Sequence, residues 1–445
     1  MSESLFAFDR ERLHTLFLGS DSVEARPGIQ TPAFVYDLDM AAQRFRGLRE
    51  ALPARVHLAY AVKSNPGAPL LATFARLGAW FDCASAGEVD RVISASAQPK
   101  VVFAGPAKSE RDLIAALNIG ARIQVDGIED IERINALHRR RSGPSAPPLA
   151  INVRVNPASG VSERASIIGG GGPSAFGVDE EDLAQFIHEA SAYEGVRIAG
   201  LQVFAASNEL DADVLLANHA TALRIASTMQ HEHNITIELI DIGGGLGIRY
   251  AGGEIEHDLD ITALGAGLGH LLHDNPWFTG RLVLEPGRWL SGPCGVYAAA
   301  VVRTKISRGV AFAMLEGGIN HLLRPLMTGQ SFPTQVIRPR ASDALHVPAE
   351  HASTESTNEV VDFTLAGPLC TSLDRLGTGT LPADLQTGDT VVFGQAGAYA
   401  YTQAMTHFLS HPPPEEHWLS ATAQSSDGDK CDTRSGQLFT ELHRE

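Results

Sequence analysis

The stretch HLAYAVKSN (57–65) carries an apolar run straight into Lys63 and then stops at Ser64, Asn65 and Pro66. Taking an ammonium out of water is costly. A lysine at the tip of an internal strand therefore either reaches solvent there or is kept for covalent chemistry, with its pKa lowered by its surroundings. Two other stretches could serve such a lysine. DIGGGLG (241–247) is a glycine run directly after a strand-like segment. Amides without a neighbouring Cβ can close on an anion, although glycine-rich strand-to-helix turns are also common. The run has no G-K-[ST] and lacks the setting of a dinucleotide fingerprint. LEPGR (284–288) places Glu285 and Arg288 either side of a Pro-Gly turn. The two could form a surface ion pair. At a cleft, the arginine could clamp a phosphate and the acid could hold a proton on a ring nitrogen.

Pyridoxal phosphate enzymes need a lysine for the cofactor's aldehyde carbon and a partner for its pyridinium nitrogen. Lys63, the glycine run, Glu285 and Arg288 meet that need together.

The elements that must position these residues alternate strand and helix. Strand candidates are VHLAYAVK (56–63), AWFDCAS (79–85), KVVFAG (100–105), ARIQVDG (121–127), LAINVRVNP (149–157), RIAGLQVFA (197–205), IELIDIGGG (237–245) and RLVLEPGR (281–288), with helix-period segments between them. Eight such units over about 250 residues predict an α/β fold built on a (β/α)8 TIM barrel, with a doubly wound sheet as the alternative. Barrel active sites lie at the C-terminal ends of the strands. Lys63, Asp82, Arg154, Ser207, Gly243, Gly244, Gly245, Glu285 and Arg288 all fall at those ends.

Past residue 292 the pattern turns β-rich and predicts a C-terminal β-barrel or sandwich domain, which the N-terminal stretch PAFVYDLDM (32–40) joins. The expected division is a barrel over 41–291, a β-rich domain from 1–40 and 292–420, and a flexible tail over 421–445 that holds Cys431. Segments 139–148 and 340–359 read as exposed loops.

Composition narrows the function classes. Lys+Arg 35 against Asp+Glu 52 gives a formal net charge of −17, which argues against a nucleic-acid partner. No apolar run is long enough to span a membrane, and the N-terminus lacks signal-peptide character. The four cysteines show no metal-like spacing, so no metal is expected and a reducing cytoplasm is.

YAVKSNP, FDCASAGEV, DIGGGLG, LEPGR, GPLCTSLD and GAY resemble, in order, the motif set of the fold-type III pyridoxal-phosphate-dependent decarboxylases, which act on ornithine, diaminopimelate or arginine. The likeness runs from about residue 30 to about 412. It implies an alanine-racemase-like barrel joined to a β-domain, and a homodimer with shared active sites. It further implies that Lys63 bonds to pyridoxal 5'-phosphate, that Glu285 partners the pyridinium, and that Gly243, Gly244, Gly245, Gly287, Arg288, Ser207 and Tyr399 contact the phosphate. Asp82 and Arg154 would lie near the cofactor. Arg324, in LLRP, would hold a substrate carboxylate, as in diaminopimelate-type members. Cys370, in GPLC, would come from the partner subunit; it or Lys63 would return a proton to Cα after CO2 leaves. A cysteine in mid-strand is otherwise plain core.

Three departures bear on the substrate. Phe204 stands where the family commonly has a ring-stacking histidine; a phenyl ring stacks but exchanges no proton. Thr371 follows the cysteine where ornithine and diaminopimelate decarboxylases have an acid for the distal amine, with Asp374 as a substitute if the loop shifts. Ala175 replaces a lysine in the S-K-F-G segment, after a glycine run at 169–172 that is either a mobile cover, a widened entrance or an idle loop. GGINHLLRP, GPLCT and FLSHPPP resemble a natural-product branch acting on conjugated, peptide-linked or carrier-protein-tethered amino acids. The expected substrate is therefore a modified or tethered α-amino acid. Free diaminopimelate, ornithine or lysine is the alternative, and a racemase or a non-catalytic regulatory homologue is a more distant one.

Overall fold

The computed structural model describes residues 5–19, 28–158, 174–251, 257–338 and 359–420. The glycines at 169–172, most of the 340–359 loop and the 421–445 tail with Cys431 lie outside the described residues.

Strand β1 (Ala33–Asp37) comes first. The barrel follows: β2 (Val56–Ala61), β3 (Trp80–Cys83), β4 (Val101–Phe103), β5 (Arg122–Val125), β6 (Leu149–Asn156), the short β7 (Val178–Asp179), β8 (Val196–Gln202), β9 (Leu239–Asp241) and β10 (Arg281–Leu284). The order β5-β4-β3-β2-β10-β9-β8-β6 is closed by a β5–β6 pairing, and β7 adds to the edge of β6. Every pairing around this ring is parallel. Strands buried on both faces read as continuous apolar runs, which is why all eight were visible in the sequence. The helix Leu38–Ala51 precedes the first barrel strand and packs against helices Ala68–Arg76 and Ile261–Asp274, completing the outer ring. Asp37 caps it: its Oδ1 accepts from the amides of Asp39 and Met40, both at 2.9 Å.

Inside the ring the side chains are layered. Ala59, Trp80, Val102, Leu239 and Val283 form a small apolar floor apart from the main core. With a period of two, the next positions up the strands turn polar: Asp82 after Trp80, Asp241 after Leu239 and Glu285 after Val283. Gln124, Asn152 and Gln202 are likewise almost fully buried.

The second sheet holds β11 (Gly295–Ser307), β12 (Val310–Leu315), β13 (Thr334–Ile337), β14 (Val360–Ala366), β15 (Arg375–Pro382), β16 (Thr390–Phe393) and β17 (Glu415–Leu419) in the order β13-β16-β11-β12-β14-β15. β1 pairs antiparallel with β11 and parallel with β17, so the N-terminal strand belongs to this β-rich sheet.

Three local expectations need correcting. The 139–148 segment is not all loop, because the helix Ile128–Ser142 continues through the three arginines that favour its C-terminal dipole end. Lys63 stands outside the first barrel strand, in a 3₁₀ turn over Val62–Ser64. Cys370 is not in mid-strand; β14 ends at Ala366 and the cysteine is exposed in the turn that follows. Among the described residues, no helix is long and apolar enough to cross a membrane.

Candidate active site

The turn carrying Lys63 is fastened on both sides. Ser64 Oγ donates to Ala61 O at 2.7 Å, Tyr60 Oη donates to Asn65 O at 2.9 Å, and the Tyr399 amide donates to Ser64 O at 2.7 Å. The lysine side chain keeps 39% of its surface accessible, so it lines the barrel mouth within reach of a small molecule. Its Nζ lies 2.5 Å from Oδ2 of Asp82, which is 1% exposed. Burial alone would push this lysine's pKa down, but Asp82, Glu285 and Tyr399 outweigh it and hold the ammonium above the ordinary lysine value. The expected lowering is therefore corrected: in this state the amine is stored as a cation by a carboxylate partner.

Two strands further round the ring, the glycine run turns between β9 and the mouth. Gly243 and Gly245 adopt φ of 66° and 95°, in the region that favours glycine. A Cβ on Gly244 would stand 2.4 Å from Glu285 O, and one on Gly245 would stand 2.7 Å from Ala206 O. The run is laced to the segment after β8: the Glu209 amide donates to Gly245 O and the Gly247 amide to Glu209 O, both at 2.8 Å. Phe204 packs against Gly243 and Ser207 lies in the same segment, both half-buried. Gly287, after the adjacent strand β10, faces Ala61 and Ser64 so closely that a Cβ would meet both at 3.0 Å.

The site is electrically polarised. At the acidic pole Glu285 is 5% exposed and its Oε1 accepts from Gln202 Nε2 at 3.0 Å. Burial, then the charges of Asp241 and Asp82, push its pKa well above the usual carboxyl value. Burial likewise pushes Asp241 up to about 6. At the basic pole Arg288 donates to Tyr250 Oη at 2.9 Å. Arg324 bonds the same tyrosine, and both guanidiniums lie over the Tyr399 ring, at 4.8 Å for Arg288 and 5.2 Å for Arg324. Tyr399 has φ of 52°, a strained backbone held where it meets both the Lys63 turn and the arginines. Arg154 is buried with its guanidinium 4.4 Å over the Phe176 ring. Burial lowers its pKa, opposed by Asp126, Glu285, Asp82 and Asp241.

The turn bearing Cys370 and Thr371 belongs to the β-rich sheet. Asp374 welds it to the Gly317–Ile319 loop: Oδ1 accepts from the Ile319 amide at 2.8 Å and Oδ2 from the Leu369 amide at 2.7 Å. A Cβ on Gly318 or Gly367 would collide with that carboxylate. Asp374 thus clamps the turn, and meeting a substrate amine by a shift of the loop would mean giving up both of these bonds.

Tyr250, Asp241, Gln202 and Phe176 escaped the sequence reading. Asp241 begins the quoted glycine motif and Tyr250 lies three residues beyond it, but nothing in their residue types marks them. Only the barrel's closure brings them to the mouth.

The residues present fit pyridoxal phosphate. Asp82 Oδ1, Gln202 Oε1 and Arg324 Nε are buried polar atoms without a hydrogen-bond partner around the same mouth. The glycine cradle is too close-packed for any side chain, and an accessible lysine stands between an acidic and a basic pole. Lys63 would bond to the cofactor, Glu285 would face its ring nitrogen, and Gly243–Gly245 with Arg288 would face its phosphate.

Comparison with known proteins agrees. The chain is 25% identical to the 2-[(L-alanin-3-ylcarbamoyl)methyl]-2-hydroxybutanedioate decarboxylase of Staphylococcus aureus, over 88% of this chain and 94% of that one. It is 26% identical to the L-glutamyl-[BtrI acyl-carrier protein] decarboxylase of Niallia circulans, over 87% and 88%. The diaminopimelate decarboxylase of Helicobacter pylori, solved with L-lysine, shares the fold with a TM-score of 0.75 at 24% identity, covering 88% of this chain and 92% of that one. A family model described as "Pyridoxal-dependent decarboxylase, pyridoxal binding domain" matches residues 38–292. Matched by that model across more than half its length, the chain belongs to the pyridoxal-dependent amino-acid decarboxylases.

Proposed function

We propose that this decarboxylase removes the α-carboxylate of an amino acid whose side chain is modified, conjugated or carried on a carrier protein, rather than a free diamino acid. The observation that carries the reading is the cysteine turn. Thr371 offers no charge there, and the turn's own carboxylate, Asp374, already accepts from two backbone amides. A cationic side chain would find no free carboxylate on this turn. The Staphylococcus and Niallia relatives, whose names specify a conjugated and a carrier-bound substrate, support the same reading.

Pyridoxal phosphate, when bound, supplies the sink for the electron pair left as CO2 departs. The chain's residues do the rest. Gly243–Gly245, Gly287, Arg288, Ser207 and Tyr399 hold the phosphate end, and Phe204 covers the ring face without exchanging a proton. Glu285 keeps a proton at the ring nitrogen. Asp82 holds Lys63 until the lysine bonds, and Lys63 yields to the substrate amine. Cys370, from the second chain of a homodimer, or Lys63 returns the proton to Cα. Cys370 is exposed in one chain, beside Leu373 at 59% exposure, as a group delivered to a partner's site must be.

One observation favours the second reading, free diaminopimelate: Arg324 is buried with Nε unpartnered and could take a second carboxylate. A CO2-release screen separates the two. It compares free diaminopimelate, ornithine, lysine, arginine and glutamate with a carrier-bound glutamyl thioester and an amide-linked amino acid. Turnover confined to conjugates is expected; ordinary enzymatic efficiency on free diaminopimelate or ornithine overturns the proposal.

A further inference from the structure

The functional reading leaves Asp241 without a task, yet this fully buried residue stands between the glycine cradle and the strand that carries Glu285. Its Oδ1 accepts from the Gly243 amide at 3.0 Å, fixing the first turn of the phosphate cradle. Its Oδ2 accepts from Gln124 Nε2 at 2.7 Å. Its carboxyl also faces that of Glu285 from the neighbouring strand, and its charge disfavours ionisation of the glutamate. Strand register explains the meeting. Asp241 stands opposite Gln202 on β8 and Val283 on β10, and Glu285 is two residues beyond Val283 on the same side of its strand. Glu285 is thus faced from two neighbouring strands, by the Gln202 amide and by Asp241.

Two buried carboxyls brought together on neighbouring strands do not both ionise cheaply. The charged groups facing the pair are Asp82 from β3, Lys63 after β2 and Arg154 from β6, with Asp126 beyond Arg154. We propose that Asp241 is a positioning residue for Glu285, and that the two carboxyls store the single proton destined for the cofactor's ring nitrogen. Glu285 gives up its O–H, the ring nitrogen gains an N–H, and Asp241 remains the adjacent anion; total charge is unchanged. Asp241 thereby joins the ring acid and the phosphate cradle in one rigid unit. The proposal rests on pyridoxal phosphate occupying this site.

The test is a titration of the apoprotein with pyridoxal phosphate, followed by visible absorbance between about pH 5.5 and 8.5, for wild type, Asp241→Asn and Gln124→Met. Asp241→Asn keeps the shape and removes the anion. Its affinity should fall about tenfold or more, and the pH midpoint of binding should move down by about one unit. Gln124→Met keeps the anion but removes a donor that stabilises it, so the midpoint should move up. Circular dichroism and melting curves establish that each variant is folded; if Asp241→Asn is not, Gln124→Met decides alone. Unchanged midpoints overturn the proposal, as does weaker binding at an unshifted midpoint, which marks a merely structural residue. Failure of the wild type to bind, or a visible absorbance of the bound cofactor that is unchanged in Lys63→Ala, instead overturns the cofactor assignment.

Discussion

Replacing Asp82 by asparagine should make Lys63 a faster nucleophile. The lysine Nζ sits 2.5 Å from Asp82 Oδ2. Coulomb's law at that separation gives about 7 kcal/mol at an effective dielectric of 20 and about 1.7 kcal/mol in water. Because the lysine is 39% exposed, solvent screening puts the interaction near the aqueous end. That is about one pKa unit. With the carboxylate gone, its raising influence is lost while burial, already the largest single influence, goes on lowering the pKa, so at neutral pH the neutral amine becomes about tenfold more abundant. Stopped-flow capture of pyridoxal phosphate by the apoprotein reads this directly. Plotted as log rate against pH, the variant should follow a line of the same slope displaced by about one unit toward acid. Equal or slower capture at every pH would refute the idea that Asp82 suppresses the amine.

Three further outcomes follow from the geometry. Gly245→Ala combines a φ of 95° with a Cβ 2.7 Å from a backbone oxygen. It should cost about 1–3 kcal/mol in denaturant melts and leave the purified protein depleted in cofactor. Asp374→Asn leaves one of two buried amides without an acceptor, for a loss of about 1–3 kcal/mol; a change below about 0.5 kcal/mol would mean the clamp contributes nothing. If Cys370 rather than Lys63 returns the proton, each of Lys63→Ala and Cys370→Ala is inactive or nearly so, and mixing the two chains should restore about a quarter of wild-type activity if two chains share each site, and none if they do not.

The barrel was legible because its strands are buried on both faces. YAV, WFDC and LVLE remain visibly apolar even where a functional side chain interrupts them. Two strands of the second sheet were not. β15, RLGTGTLP, alternates glycine and threonine, and β17, EEHWL, carries charge, so neither shows the signature of a buried strand. Lys63, Glu285 and Arg288 announced themselves by residue type next to glycine and proline. Asp241, Gln202 and Tyr250 did not, since each owes its position to a neighbour on another strand. The contact between Lys63 and Asp82 is hidden for the same reason: the sequence displays the apolar run before Lys63, whereas Asp82 comes beside it only when β3 pairs with β2.

The placement of residues 33–51 sets a limit on how this protein can be taken apart. Ala33–Asp37 lies in the β-rich sheet, and the next residue begins the helix that completes the barrel's outer ring. Asp37 is the hinge pin, last residue of one and cap of the other. The chain then leaves the barrel after β10 and runs back into the same sheet as the neighbour of β1. Neither unit is a cassette. Cutting the chain just before β2 would remove a helix from the barrel's outer ring and a strand from the sheet, so swapping only the β-rich half for a relative's would leave both halves incomplete. Retargeting this scaffold to another amino acid therefore has to proceed by substitutions in place, starting at the Cys370–Asp374 turn, rather than by exchange of whole domains.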